Sequence, residues 1–197
     1  MAIKPILFNT EMVRAILDGR KTCTRRLVRF LPGENPQWTG YIRDGLMLYN
    51  GRNEPCIMKA PYQPGDILYI RETWKRAPNG YYYYEDWQRN DIADITKWKP
   101  SIHMPKEAAR IWLKVTDVRV ERLQEITEDG AKAEGSIDNR GFIHSPENEY
   151  DRIHTAREHF IGIWDSTIKK SDIDRYGWDA NPYVWVIEFK RCKKPEK

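Results

Sequence analysis

The feature that most constrains the fold is a long period-two alternation of side chains across residues 111–123. Successive residues of a β-strand face opposite sides of a sheet, so this pattern predicts a strand with two distinct faces. Residues 3–8, 67–74 and 183–189 are also rich in apolar and β-branched side chains, and the turn Gln63-Pro64-Gly65-Asp66 precedes the second of them. We expect residues 67–74 to lie inside the sheet, because their apolar start is nearly continuous.

Three segments carry helix signals. The first helix is predicted at residues 10–18, with Asn9 or Thr10 as the N-cap and Gly19 as the stop signal. A second, shorter helix is predicted between Thr127, its N-cap, and Gly135, its stop signal. Residues 151–168 place apolar side chains at helical spacing and predict a third helix. At 197 residues the chain suits one domain of the α+β class. We expect a small mixed β-barrel with flanking helices and two insertions, at about residues 31–61 and 74–104.

A dense basic segment follows the first helix. From residue 14 to residue 29 there are six basic residues and one acidic residue, a local net charge of +5. In a strand, Thr22, Thr24 and Arg26 would share one face, opposite Arg25. Lys21 has the wrong parity for the threonine face and would join it only through a kink after the helix. Two interpretations stay open: a binding site, or a solvated basic edge strand.

Overall composition permits a polyanionic partner without requiring one, since the net charge is +4. Eight Trp and eleven Tyr argue against disorder. The residues at 81–84 are all Tyr, which fits either a stacking platform for bases or a strand packed on both faces. Three widely spaced Cys indicate neither a zinc site nor a disulfide framework, and no segment resembles a signal peptide or membrane span. We therefore expect a cytoplasmic protein without metal or cofactor.

Four short motifs, in this order, resemble the ASCH domain family. The motifs are Gly19-x-Lys21-x-x-Thr24-x-Arg26, Pro64-Gly65-Asp66-x-Leu68-x-Ile70-Arg71, Ile126-Thr127-Glu128 and Val186-Ile187-Glu188-Phe189. The resemblance covers the core segments from the first strand to residue 189 but neither insertion. It implies a PUA-like β-barrel, and the insertions make the chain most similar to the larger ASCH-like proteins of phages and prophages.

The resemblance also implies a site. Certain small members of the family are amidohydrolases that remove an acyl group from the exocyclic amine of cytidine. By likeness to their catalytic residues, Lys21, Thr24 and Glu134 become the candidate catalytic trio. The family's motif lines a cleft that is taken to bind RNA or a nucleotide, and the candidate binding residues here are Gly19, Arg20, Thr22, Arg25, Arg26 and Arg71. Trp178, next to the last predicted strand, is a further candidate, expected to close the cleft as an aromatic wall.

Three functional hypotheses follow. The first is recognition of a modified pyrimidine nucleoside or nucleotide, with hydrolysis of its amide; a neutral Lys21 would activate the Thr24 hydroxyl, and Glu134 would protonate the amine or activate water. The second is an RNA- or DNA-binding module without chemistry, whose affinity falls steeply with salt. The third is a phage protein that binds a host component. The pattern leaves the oligomeric state and the identity of the base open.

Overall fold

The computed structural model describes residues 1–31, 41–43, 47–50, 52–88, 96–140 and 154–196. Within these ranges the fold is mixed α+β, as the sequence predicts. The strands are β1 (Ile3–Leu7), β2 (Cys23–Leu27), β3 (Tyr41–Arg43), β4 (Met47–Tyr49), β5 (Ile67–Arg71), β6 (Trp74–Ala77), β7 (Gly80–Tyr83), β8 (Trp112–Arg122) and β9 (Tyr183–Cys192). The helices are α1 (Thr10–Leu17), α2 (Tyr84–Gln88), α3 (Glu128–Ala133), α4 (Ala156–Thr167) and α5 (Ile173–Tyr176). None of the helices in these ranges is long and apolar enough to cross a bilayer.

The main sheet has five strands in the order β1-β5-β8-β9-β2. Strand β1 runs parallel to β5, with Ile3 opposite Ile67, whereas β8 is antiparallel to β5 and β2 is antiparallel to β9. β5 is therefore internal, as expected. Strands β3–β4 and β6–β7 form two separate two-stranded ladders. Among the described strands no ladder joins β1 to β2, so closure of the sheet into a barrel stays a prediction.

The chain divides into two compact units, each assembled from segments that are distant in sequence. The first comprises residues 1–20, 62–116 and 189–197, and the second comprises residues 21–61 and 117–188. The predicted insertion at 74–104 falls in the first unit and the insertion at 31–61 in the second. The described core of the first unit centres on Ile67, Trp74, Met104, Ala108, Ala109 and Trp112.

Helix α1 ends where its sequence specifies. The Asn9 side chain accepts a hydrogen bond from the Met12 amide at 2.8 Å, which caps the first turn. At the other end Gly19 has a φ of 77°, its amide donates to the Ile16 carbonyl, and the Arg20 amide donates to the Ala15 carbonyl at 2.8 Å. These two bonds form a Schellman motif, which needs a left-handed residue at position 19.

The second unit is built around a helical layer on the β2–β9 ladder. Its core contains Leu123, Ile126, Ala131, Ala156, Phe160, Trp164, Val184 and Val186. Helix α3 begins at the predicted cap, where the Thr127 hydroxyl accepts a hydrogen bond from the Gly130 amide at 3.0 Å. It ends at Gly135, which has a φ of 92°. The positions of both ends of α3 follow from local cap chemistry.

Three predicted boundaries are wrong in detail. The strand predicted at 67–74 stops at Arg71, and Trp74 begins the separate strand β6. Helix α4 begins at Ala156, because Thr155 and Glu158 form a capping box there, so residues 154 and 155 are not part of the helix, contrary to the prediction. The predicted start at 151 lies outside the described residues. The last strand continues to Cys192, three residues beyond the predicted end at 189.

The tyrosine segment is packed into the first unit. Tyr81 contacts Trp74, Tyr82 contacts Trp87 and Tyr84 contacts Trp98, with ring centroids 5.5–5.9 Å apart. All four side chains are half-buried. Residues 81–83 therefore belong to the packed strand β7, whereas Tyr84 begins helix α2. Base stacking on these half-exposed rings stays a prediction.

Candidate functional site at Lys21 and Glu134

The centre of the candidate site is a buried ion pair between residues far apart in sequence. The Lys21 ammonium lies 2.7 Å from Glu134 Oε2, and it also donates to the Glu134 main-chain carbonyl at 2.7 Å. The two side chains are 1% and 7% exposed. The second residue of the pair was implied by the family resemblance, and the structure brings it onto Lys21.

Arg25 completes the cluster. Its Nη1 atom lies 3.3 Å from Glu134 Oε1, so the two Glu134 oxygens face two different cations. Its Nη2 atom lies 3.3 Å from Glu121 Oε2, and its guanidinium lies 6.0 Å from the Phe160 ring centroid. Glu121 is also paired with Arg119, so the cluster continues into a larger network of alternating charges. Pairing stabilises the charges of Lys21, Arg25 and Glu134 where burial would otherwise penalise them.

The local chain geometry explains why Lys21 and Arg25 meet. Strand alternation places Cys23 and Arg25 on one face, and Lys21, two residues before Cys23, keeps the same parity. The end of α3 supplies unsatisfied carbonyls: the Thr22 amide donates to the Ala133 carbonyl at 2.8 Å, and Lys21 binds the next one. The start of β2 is thus fixed onto the C-terminus of α3.

Thr24 lies on the other face of β2. It is buried and pairs with Ile187 of β9. Among the described residues its hydroxyl forms no hydrogen bond with Lys21 or Glu134. The kink that would bring Lys21 to the threonine face is absent, since the Lys21 side chain goes to Arg25's side.

Cys23 is a structural member of the cluster. Its sulfur lies 3.9 Å from the Gly130 carbonyl. Burial raises the pKa of this thiol to about 12, and the Glu134 carboxylate adds to the effect. A thiol with so high a pKa is a poor nucleophile at neutral pH, so the chemistry of this site does not pass through Cys23.

The remaining predicted binding residues are dispersed. Thr22 is exposed and Arg26 is half-buried opposite Trp185, whereas Gly19 and Arg20 belong to the first unit, at the end of α1. Arg20 lies 3.5 Å from Asp18. Arg20 and Arg26 supply positive charge along the segment.

Arg71 and Trp178 serve packing in the described structure. Arg71 belongs to the first unit and donates from Nε to the Met104 carbonyl at 2.7 Å. Trp178 packs on the core of the second unit, and the Arg157 guanidinium lies 4.7 Å from its ring centroid. The expected aromatic wall at Trp178 is therefore a packed side chain.

Two buried polar atoms next to the ion pair in sequence have no hydrogen-bond partner within the described ranges. They are Arg25 Nε and Ser136 Oγ, a donor and a hydroxyl. A buried N–H without an acceptor costs free energy, so natural proteins rarely leave one unless a ligand or water pairs with it. Neither atom was identified from the sequence. The spacing of Lys21 and Arg25, four residues apart, was the one sequence feature that placed Arg25 on the same face as Lys21.

A second buried charge network lies in the first unit and was also missed. Arg110 donates two hydrogen bonds of 2.9 Å to Glu72 and approaches Asp86 at 2.6 Å, and it stacks 4.1 Å from the Tyr83 ring centroid. Burial raises the pKa of Glu72 despite the nearby guanidinium. No group of three or more potential metal ligands occurs in the part of the chain that the structure describes.

Comparison of the chain with protein-family models, with curated proteins and with solved structures gave no match.

Proposed function

We propose that the protein recognises a pyrimidine nucleoside or nucleotide acylated on its exocyclic amine and hydrolyses that amide. The observation that carries the proposal is the Lys21–Glu134 pair: two ionisable side chains 113 residues apart meet at 2.7 Å in a nearly solvent-free position. The ASCH-like, PUA-like barrel and a cytoplasmic location belong to the same proposal. Buried pairs of titratable groups are frequent at catalytic sites, which supports it.

In the proposed reaction the protonation states of Lys21 and Glu134 are restored by the end of the cycle. Transfer of one proton from Lys21 to Glu134 yields a neutral amine and a carboxylic acid. The amine then accepts the proton of the Thr24 hydroxyl as its oxygen bonds to the acyl carbon, and Glu134 donates its proton to the departing cytidine nitrogen as the C–N bond breaks. Water then attacks the Thr24 ester, releases the carboxylic acid and restores the hydroxyl.

Arg25 has a place in this scheme. Its buried Nε–H lacks an acceptor among the described residues, and the oxyanion of a tetrahedral intermediate is an acceptor. Thr24 enters the scheme through the family resemblance alone, because its hydroxyl is bonded to neither Lys21 nor Glu134. Turnover by the trio therefore requires Thr24 and Lys21 to approach each other when substrate binds.

The test is chromatographic turnover of a panel of N-acylated cytidines. Glu134→Gln and Thr24→Val preserve side-chain shape and should each lower kcat by about 100-fold or more, the usual contribution of an acid–base group. Thr116→Val is the matched control, since it removes an exposed hydroxyl from strand β8, outside the candidate site, and should leave turnover unchanged. Turnover in folded Thr24→Val equal to the parent would overturn the assignment of the nucleophile; equal turnover in Glu134→Gln as well would overturn the site.

A non-catalytic RNA- or DNA-binding module is the second candidate. It is favoured by the exposed side chains of Arg20 and Arg29 in the same basic segment, because accessible cations can contact phosphates. This candidate predicts no turnover by the parent protein on any acylated cytidine. It also predicts oligonucleotide affinity that falls linearly on a log–log plot against salt, whereas a nucleoside hydrolase has no such dependence on added salt.

A further inference from the structure

A cleft of about 680 Å³ lies in the second unit, at the far end of the β2–β9 ladder from Lys21. The Val28 amide donates to the Tyr183 carbonyl at this end, whereas Cys23 pairs with Glu188 at the other. The cleft has the size of a small-molecule site. Its lining includes Phe30, Arg122, Asp174, Tyr176, Asp179 and Tyr183, and it includes no member of the candidate catalytic trio.

Arg122 is the distinctive group in this cleft. Its guanidinium lies 3.7 Å from the Tyr183 ring centroid, and its Nη1 donates to the Asn181 carbonyl at 3.0 Å. Within the described ranges it has no carboxylate partner, in contrast to Arg25, Arg110 and Arg119, each of which is ion-paired. Stacking on Tyr183 and one hydrogen bond thus fix the position of the Arg122 guanidinium, and its positive charge can pair with an anionic ligand. A planar guanidinium suits phosphate in particular.

The other walls favour a ligand with a flat ring. Phe30 and Tyr176 are half-buried aromatic side chains, and the Phe30 ring centroid lies 6.4 Å from that of Tyr183. Aromatic rings and stacked guanidinium planes both accept a nucleobase on their faces. The loop that follows Trp178 provides one wall through Asp179, Ala180 and Pro182, although Trp178 itself packs elsewhere.

The charge balance of the cleft limits the size of the ligand. Asp174 and Asp179 are exposed carboxylates that face the same space as Arg122 and the exposed Arg175, so two negative and two positive charges line it. A long polyanion would be repelled by the two carboxylates. A single nucleotide matches both the positive and the negative side chains of the cleft, because its phosphate pairs with Arg122 and its base amine donates a hydrogen bond to a carboxylate.

We propose that this cleft binds one nucleotide whose base carries an exocyclic amino group. The ring lies against the aromatic walls, the phosphate lies at Arg122, and Asp174 or Asp179 accepts from the amine. The inference does not depend on the amide hydrolysis proposed above, because the two sets of residues are separate.

Isothermal titration of the full chain with cytidine 5′-monophosphate, cytidine and inorganic phosphate tests the proposal. Cytidine 5′-monophosphate should bind with a Kd below about 1 mM, and Arg122→Gln should weaken it by about tenfold or more, the effect of losing a charged hydrogen bond. Arg140→Gln is the control, since Arg140 is an exposed arginine paired with Asp138 outside the cleft, and it should bind as the parent does. Arg122→Lys retains the charge without the planar fork and should fall between the two.

Each of the following outcomes would overturn the inference. The first is no heat from the nucleotide, or inorganic phosphate binding as tightly as the nucleotide. The second is unchanged affinity in folded Arg122→Gln and Arg122→Lys. The third is affinity that is lost in Glu134→Gln and kept in Arg122→Gln, which would place the nucleotide at the Lys21 cluster. Affinity kept in Glu134→Gln without any amide turnover in the parent would retain this inference and reject only the proposed activity.

Discussion

Replacing Glu134 by Ala should destabilise the protein far more than replacing an exposed charged residue. The substitution leaves Lys21 and Arg25, whose side chains are 1% and 4% exposed, without their shared carboxylate. Breaking a buried pair typically costs about 3–5 kcal/mol, because the remaining charge is desolvated and uncompensated. Lys21 keeps the main-chain carbonyl of residue 134 and Arg25 keeps Glu121, so we expect the lower part of that range, about 3–4 kcal/mol.

The size of this effect is measurable by urea denaturation followed by tryptophan fluorescence. For a chain of this length, a loss of about 3–4 kcal/mol corresponds to a Tm lower by roughly 6–16 °C. The double variant Lys21→Met with Glu134→Leu removes both charges and should recover most of the lost stability. Lys132→Gln is the surface control: its partner Asp129 is 4.0 Å away and both are exposed, so the cost should stay below about 0.5 kcal/mol. A cost below about 1 kcal/mol for Glu134→Ala would refute the reasoning from buried charge.

Three further predictions concern other parts of the chain. Gly19→Ala should lower the free energy of unfolding by about 1–2 kcal/mol, because residue 19 has a left-handed backbone conformation. Gly162→Ala, inside α4 with open space around it, should raise the free energy of unfolding by about 0.5–1 kcal/mol. Thermal melts in which both variants shift Tm in the same direction would contradict this pair of predictions. Cys23, whose pKa is raised to about 12, should be alkylated only as the protein unfolds, and rapid labelling of native protein in mass spectra would disprove its burial. Burial raises the pKa of Glu72 in the folded protein above its unfolded value, so the free energy of unfolding falls as pH rises from the unfolded pKa to the folded one. Arg110→Met removes the cation that offsets this effect, so the Tm of the variant should fall more steeply between acid and neutral pH than the Tm of the parent. Parallel plots of Tm against pH for the two proteins would exclude the effect.

Helix ends were predictable from the sequence because the atoms that make them are neighbours in the chain. Asn9 and Gly19 fix α1, and Thr127 and Gly135 fix α3, through hydrogen bonds that span three to five residues. The start of α4 was instead predicted from apolar spacing, and the capping box of Thr155 and Glu158 places it at Ala156. Periodicity locates a helix, whereas cap chemistry locates its ends.

Residues of the candidate site were harder to group because their partners are distant in sequence. Alternation assigned Arg25 to the face opposite Thr24, but no local rule says which face of β2 will meet α3. Glu134 was found through the family resemblance, while Glu121 and Ser136 had no sequence signal. Glu72, the residue after β5, likewise pairs with a distant partner, Arg110, which lies 38 residues away and had no local signal.

The 113-residue separation between Lys21 and Glu134 also has a consequence for biosynthesis. A ribosome adds about 5–20 residues per second, so Lys21 leaves the peptidyl-transferase centre roughly 6–23 seconds before its partner exists. During that interval the ammonium of Lys21 and the guanidinium of Arg25 have no buried carboxylate to receive them, and both stay hydrated. The second unit therefore completes its interior late in translation, and residues 21–27 wait in the nascent chain as a cationic segment accessible to chaperones and to any polyanion nearby.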